Sequence, residues 1–147
     1  MTEDIKYTII NSTRFGEIKV DTSILLDFVV PIIGYEKYKK FAIVDNNPTS
    51  PFKWLQSVAD PELAFPITLT DYFDVEYNIE IPEEDIKLLG ANSAEDIMAL
   101  NIVSIPQGNP QASTMNLRAP VIVNTQNHKA AQIILKDSKY DIRYPLF

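Results

Sequence analysis

The chain of 147 residues contains one histidine, no cysteine, 13 Lys+Arg and 20 Asp+Glu, and that inventory bounds its chemistry. Without cysteine there is no disulfide framework, no thiol nucleophile and no thiolate zinc site. His128 is the single histidine, which excludes a multi-histidine metal centre. It sits in Asn124-Thr125-Gln126-Asn127-His128-Lys129, between two apolar runs. Asn-His at such a place suits a hairpin turn with a positive φ better than a catalytic role. The carboxylates remain. Eleven of them lie between Asp60 and Asp96 with Lys87 as the one base, so this stretch carries −10 and the rest of the chain +3. Asp71, Asp74, Glu76, Glu80, Glu83, Glu84 and Asp85 form its densest part. Such a field can steer a basic partner and raise its association rate. Solvated surface and acids at helix N-termini would account for the same composition. Spacing alone leaves a hydrolytic carboxylate pair open, although the cluster holds no histidine. Glu83-Glu84-Asp85 fits the first turn of a helix better than a metal site, because consecutive helical residues point in different directions. No G-x-G-x-x-G, P-loop, G-x-S-x-G or EF-hand loop is present. The expectation is therefore no catalytic, cofactor-binding or metal-ligating residue. Excess acid also argues against direct nucleic-acid contact, which needs clustered Lys and Arg.

The elements that must position these residues are mostly strands. Short β-branched and aromatic runs end at Pro, Asn, Asp or Gly: Ile5–Ile10, Gly16–Val20, Phe41–Val44, Phe52–Val58, Leu63–Leu69, Met98–Ile105, Thr114–Leu117, Val121–Thr125 and Gln132–Leu135. Asn11-Ser12 reads as the first turn, Asp45-Asn46-Asn47-Pro48 as a loop, and Pro66 as an edge or bulge. About nine strands predict a mostly β, barrel-like or sandwich fold. Helix is confined to the acidic middle, near residues 82–97. Pro82, the acids after it and Gly90 are start and stop signals of a short helix, and Ser93 reads as a second N-cap. Trp54, on an alternating strand, reads as core. Arg118, in an apolar strand pair, needs a carboxylate or carbonyl partner and reads as a tie between strands. An apolar content of 46% with no linker or repeat suggests one domain over 1–147. The opening Met1-Thr2-Glu3-Asp4-Ile5-Lys6 lacks the basic then apolar pattern of a signal peptide. The longest apolar stretch, Ile24 to Ile33, is broken by Asp27 and Pro31 and falls short of the roughly 20 residues of a membrane span. A cytoplasmic protein without membrane contact is expected.

Five stretches, in order along nearly the whole chain, resemble the flagellar assembly factor FliW family. They are Thr13-Arg14-Phe15-Gly16-Glu17-Ile18, Pro51 to Ser57, Asp60 to Phe65, Asn116-Leu117-Arg118-Ala119-Pro120-Val121-Ile122-Val123-Asn124-Thr125, and Asp137 to Leu146. The resemblance implies a β-barrel-like domain with a small helical insertion and a binding protein rather than a catalyst. It implies two alternative partners, flagellin and the translational repressor CsrA, so that flagellin translation follows export. A flagellin chaperone without a CsrA role is the alternative, and a small-ligand or hydrolytic β-barrel is the reading from another class. The seven acids from Asp71 to Asp85 are the expected partner surface. Asn116, Leu117, Arg118, Ala119, Pro120 and Asn124 are expected to be structural. The chain departs from the family at Val29-Val30-Pro31-Ile32-Ile33-Gly34-Tyr35-Glu36, where many members have Gly-Leu-Pro-Gly-Phe-Glu, and at Tyr144, where a His is common.

Overall fold

The computed structural model describes residues 5–137 and 139–147. Residues 1–4 of the opening segment and Ser138 of the closing stretch lie outside the described residues. Tyr7–Ser12 (β1) and Gly16–Asp21 (β2) pair antiparallel as a separate hairpin. Its turn is Thr13 to Phe15, not Asn11-Ser12, which pair with Glu17 and Gly16 inside the ladder. The Ser12 hydroxyl accepts the N–H groups of Arg14 and Phe15, and Gly16 takes φ 76° where the chain returns.

Leu26–Val30 (β3), Lys40–Val44 (β4), Lys53–Ser57 (β5) and Ala64–Thr68 (β6) follow as antiparallel neighbours. After β6 come a helix, Glu83–Leu88 (α1), then Ile97–Ser104 (β7), Thr114–Met115 (β8), Val121–Asn124 (β9), Lys129–Gln132 (β10) and Tyr144–Pro145 (β11). Strands β7-β6-β5-β4-β3-β10-β9 form a continuous sheet, and a β7–β9 ladder closes it into a seven-stranded barrel. Closure removes the sheet edges that would otherwise template aggregation. All pairings are antiparallel except β10 with β3, where a register shift falls between Ala130 and Ala131. Beyond the barrel, β8 and β11 extend from the end of β7.

The mostly β, barrel-like expectation with helix near 82–97 holds, with eleven strands among the described residues rather than about nine. β3 hides in an apolar stretch interrupted by Asp27, which faces solvent between the buried Leu26 and Phe28. Pro66 lies in a strand with neighbours on both sides, but the β6–β7 ladder covers just Ile67 and Thr68, so no β7 pairing depends on its missing N–H. The run Gln132–Leu135 splits. Its ladder ends at Gln132, yet Ile133 and Leu135 still donate to the carbonyls of Pro120 and Arg118. Return bonds are missing because Pro120 has no N–H and the Asn116 side chain takes those of Arg118 and Ala119.

Two cores result. Leu26, Phe28, Phe41, Leu55, Val121 and Val123 fill the barrel. Val103, Met115, Leu117, Ile122, Ala131 and Ile133 form a second core outside its wall. Strand β9 therefore buries every residue, Val121 and Val123 on one face and Ile122 on the other. That is why Val121-Ile122-Val123 is a continuous apolar run instead of an alternating one.

Candidate functional site

Residues 73–81 cover the second core as an extended segment without a ladder of its own. Phe73, Val75, Tyr77, Ile79 and Ile81 turn inward, while Asp74, Glu76, Asn78 and Glu80 are exposed. This period of two is the strand-like pattern of a half-buried chain. The same alternation, Phe73-x-Val75-x-Tyr77-x-Ile79-x-Ile81, is present in the sequence beneath the acidic residues and marks this segment as half-buried. The acids are thus held on a backbone whose other face is pinned by burial.

Side-chain hydrogen bonds replace the missing ladder. The Tyr77 hydroxyl donates to the Leu117 carbonyl and accepts from Asn101 Nδ2 at 3.3 Å. Burial, partly opposed by the Asn101 bond, pushes the Tyr77 hydroxyl up to about 12. Tyr140 meets the Asn78 backbone with both its lone pair and its proton, at 3.0 and 2.8 Å. Tyr77 and Tyr140 also stack edge to face, with centroids 5.0 Å apart.

Helix α1 continues from this segment. Pro82 precedes it, Glu83, Glu84 and Asp85 fill its first turn where the helix dipole favours anions, and Gly90 follows at φ 69°. Asp85 is half-buried, and desolvation, with Glu84 beside it, raises its carboxyl above the usual range. The last turn is tied to the β9–β10 hairpin: Asn124 Nδ2 and Asn127 Nδ2 both donate to the Leu89 carbonyl at 2.9 Å. His128 occupies that hairpin at φ 62°, as its turn position predicts, and its N–H reaches the Asn124 carbonyl at 2.8 Å.

The Asn116 to Pro120 stretch works through its backbone. Asn116 Oδ1 accepts from Arg118 N at 3.1 Å and Ala119 N at 2.9 Å, while the Asn116 carbonyl accepts from Asn101 Nδ2. Leu117 is buried, and its N–H and carbonyl bind Asp141 and Tyr77. The expected side-chain tie from Arg118 is replaced by its carbonyl, which accepts the Leu135 N–H; its half-buried guanidinium makes no hydrogen bond or ion pair among the described residues. Ser93 precedes a 3-10 turn, Ala94–Asp96, without capping it through its side chain.

Of the seven surface acids, Asp71, Asp74, Glu76, Glu80, Glu83 and Glu84 are exposed. The ion pairs among the described residues, Lys53–Asp45 and Lys139–Asp137, engage none of the seven. Asp60, counted with them by charge, is instead used in the β5–β6 loop, where its carboxylate accepts from Tyr38 and from the Glu62 N–H. The 29–36 loop begins after Val30 and turns with Gly34 at φ 89°; Ile32 enters the barrel core while Ile33 stays exposed.

Trp54 is half-buried rather than core: the Arg14 guanidinium lies 4.2 Å over its ring and Phe15 meets it edge-on. Arg14 leans over it from the turn of the β1–β2 hairpin, a cation–π contact that spacing along the chain does not disclose. Among the described residues no group of three His, Cys, Asp or Glu side chains is placed to hold a metal. Among the described residues no helix is long and apolar enough to cross a membrane.

A family model described as FliW protein matches residues 8–146. A flagellar assembly factor FliW of Thermosipho africanus is 38% identical over 135 residues, covering 92% of this chain and 93% of that protein. One from Caldicellulosiruptor saccharolyticus is 38% identical over 143 residues, covering 97% and 93%. A crystal structure of the flagellar assembly factor FliW matches with a TM-score of 0.85 at 24% identity, over 95% of this chain and 97% of that one, which is a likeness of fold.

Proposed function

This chain belongs to the FliW family, and from that premise we propose that it acts in flagellar assembly as a regulator with two alternative protein partners. Its partners are flagellin and the translational repressor CsrA. When unexported flagellin accumulates it occupies this protein, and CsrA is free to repress the flagellin message. When flagellin leaves the cell, this protein returns to CsrA and translation resumes. It works in the cytoplasm and by binding, not by catalysis.

The observation that carries the reading is the row of exposed acids on the 73–81 segment and α1, none of them in an ion pair among the described residues. An RNA-binding repressor must present Lys and Arg to phosphate. A row of carboxylates held beside that surface repels phosphate without filling the RNA site, over roughly the 8–10 Å reach of the Debye length. Hydrophobic anchoring of the row matters, because carboxylates on a segment already held by buried side chains lose less conformational entropy on docking than acids on a mobile loop.

Pull-down of the full chain with flagellin and with CsrA, followed by competition between them, tests the proposal. Capture of both, with each displacing the other, is the expected result. Capture of flagellin alone leaves a chaperone, and capture of neither overturns the reading.

A further inference from the structure

Among the described residues, every hydrogen bond between residues 74–81 and distant parts of the chain passes through one of two phenol hydroxyls. Tyr77, on the segment, reaches Leu117 and Asn101, and Tyr140, in the closing stretch, holds the Asn78 backbone. No backbone group of residues 76–81 bonds to another backbone group of the described residues, whereas the neighbouring barrel is closed by ladders. Both flanks are fixed. Leu69 packs against the barrel core, and Leu89, fully buried, is tied through its carbonyl to Asn124 and Asn127. Beneath the middle of the segment lies Asn101. On β7, Ile97, Ala99 and Val103 belong to the second core and Met98, Leu100 and Ile102 to the barrel. The period of two therefore turns Asn101 toward the second core, where Tyr77 meets it. Asn101 is fully buried, and its Nδ2 donates to the Tyr77 hydroxyl at 3.3 Å and the Asn116 carbonyl at 2.9 Å. Its Oδ1 has no hydrogen-bond partner among the described residues. A buried acceptor left unpaired opposes the arrangement that buries it.

We propose that residues 73–81 form a releasable strap, which lifts off the second core as one unit while the barrel and α1 stay folded. Local opening is drawn from segments with few backbone hydrogen bonds to the rest of the fold. Opening here returns the Asn78 backbone and Asn101 Oδ1 to water, which offsets part of the burial lost by Phe73, Val75, Tyr77, Ile79 and Ile81. Asp74, Glu76 and Glu80 ride on the strap. The closed form therefore presents the acidic row, and the open form disperses it and bares the apolar side chains beneath. One segment offers two surfaces of opposite chemistry, and a ligand that prefers either form depletes the other. The device stands independently of which proteins bind.

Hydrogen exchange followed by NMR on the full chain, in rising urea below the unfolding transition, tests the strap. The Asn78 backbone amide and the Asn101 side-chain amide are held by different tyrosines. A single opening gives both the same protection and the same urea slope. Both are expected at least about a hundredfold less protected than the slowest β4–β5 amides, with a slope under about a third of theirs, because so short a segment exposes little surface. Ile67→Val, in the barrel core, is expected to speed the slowest β4–β5 amides about threefold and leave Asn78 and Asn101 unchanged. Tyr140→Phe keeps the ring but frees Asn78, and the effect should reach Asn101 as exchange about tenfold faster. If Asn101 exchanges with the barrel's slope, or is accelerated by Ile67→Val, the segment belongs to the barrel's own unit and the proposal fails. Unchanged Asn101 exchange in the Tyr140→Phe chain also overturns it, since the two tyrosines would then hold independent contacts.

Discussion

Tyr140 holds Asn78 from both sides of one peptide pair: its hydroxyl oxygen accepts the Asn78 N–H at 3.0 Å and its proton goes to the Asn78 carbonyl at 2.8 Å. The two residues are 62 apart in sequence. Through this contact the closing segment of the chain fixes the acidic segment against the second core. The row of acids therefore depends for its position on a residue that carries no charge.

Tyr140→Phe keeps the ring and removes both bonds. The Asn78 backbone groups are exposed enough to turn to water, so the expected loss is about 1–2 kcal/mol, or roughly 2–6 °C in Tm for a chain of this size. Thermal unfolding followed by circular dichroism measures it. A variant as stable as the parent would mean that the segment is held by apolar burial alone.

Ser12 and Gln56 form a second long-range tie, with the Ser12 hydroxyl donating to Gln56 Oε1 at 2.8 Å across 44 residues. Gln56 is fully buried, and its Nε2 spreads over carbonyls of the β5–β6 loop, including Asp60 and Leu63 at 3.2 Å. Gln56→Leu strands those carbonyls and is expected to cost about 2–4 kcal/mol, with Ser12→Ala costing about 1 kcal/mol. In a double-mutant cycle by urea unfolding, the two should couple by more than about 0.5 kcal/mol; additive losses would refute the tie.

His128 at φ 62° sets up a simple comparison. Asn tolerates that conformation and β-branched residues do not. His128→Asn should be near neutral and His128→Val should lose about 1–2 kcal/mol, both read from chemical denaturation midpoints. Equal stability of the two variants would contradict the backbone assignment.

Tyr77 predicts an alkaline weakness. Its hydroxyl lies near 12 in the folded chain against 10.0 when free. The folded state holds the proton more tightly, so this contribution is complete below about pH 10 and is lost as pH rises from there toward 12. Solvent screening of the partly exposed ring limits the loss to about 1–2 kcal/mol. Tyr77→Phe removes the ionisation, and its stability curve should be flatter over that window; parallel curves would rule Tyr77 out as the cause.

Charge reversal of Asp74, Glu76 and Glu80 to Lys tests the acidic row directly. All three are exposed and outside the ion pairs of the described residues, so stability should change by no more than about 0.5 kcal/mol. Affinity for CsrA should fall, and its dependence on salt should flatten. Unchanged release of RNA from CsrA in a filter-binding assay would show that the field plays no part.

Much of the barrel was legible because its strands advertise themselves locally. Lys40–Val44, Lys53–Ser57 and Ile97–Ser104 carry β-branched and aromatic residues between turn signals, and α1 is bracketed by Pro82 and Gly90. Misreadings cluster where distant partners decide. Arg118 looked like the tie in its stretch, but Asn116 and the backbone make the bonds, since Pro120 leaves carbonyls without return donors. Trp54 looked like core until the hairpin turn placed Arg14 on its face.

The amino-acid sequence by itself determined the strand-rich class, the place of the helix, the conformation at His128 and the concentration of charge between residues 60 and 96. These follow from side-chain periodicity, from φ preferences and from counting, all of which act within a few residues. Which of those acids share a face was decided by tertiary structure. Asp60 is consumed by its own loop, whereas Asp74, Glu76 and Glu80 are turned outward because Phe73, Val75, Tyr77, Ile79 and Ile81 are buried against a core assembled from β7, β9 and β10. That core exists only once the barrel has closed, and no local rule names the residues that line it.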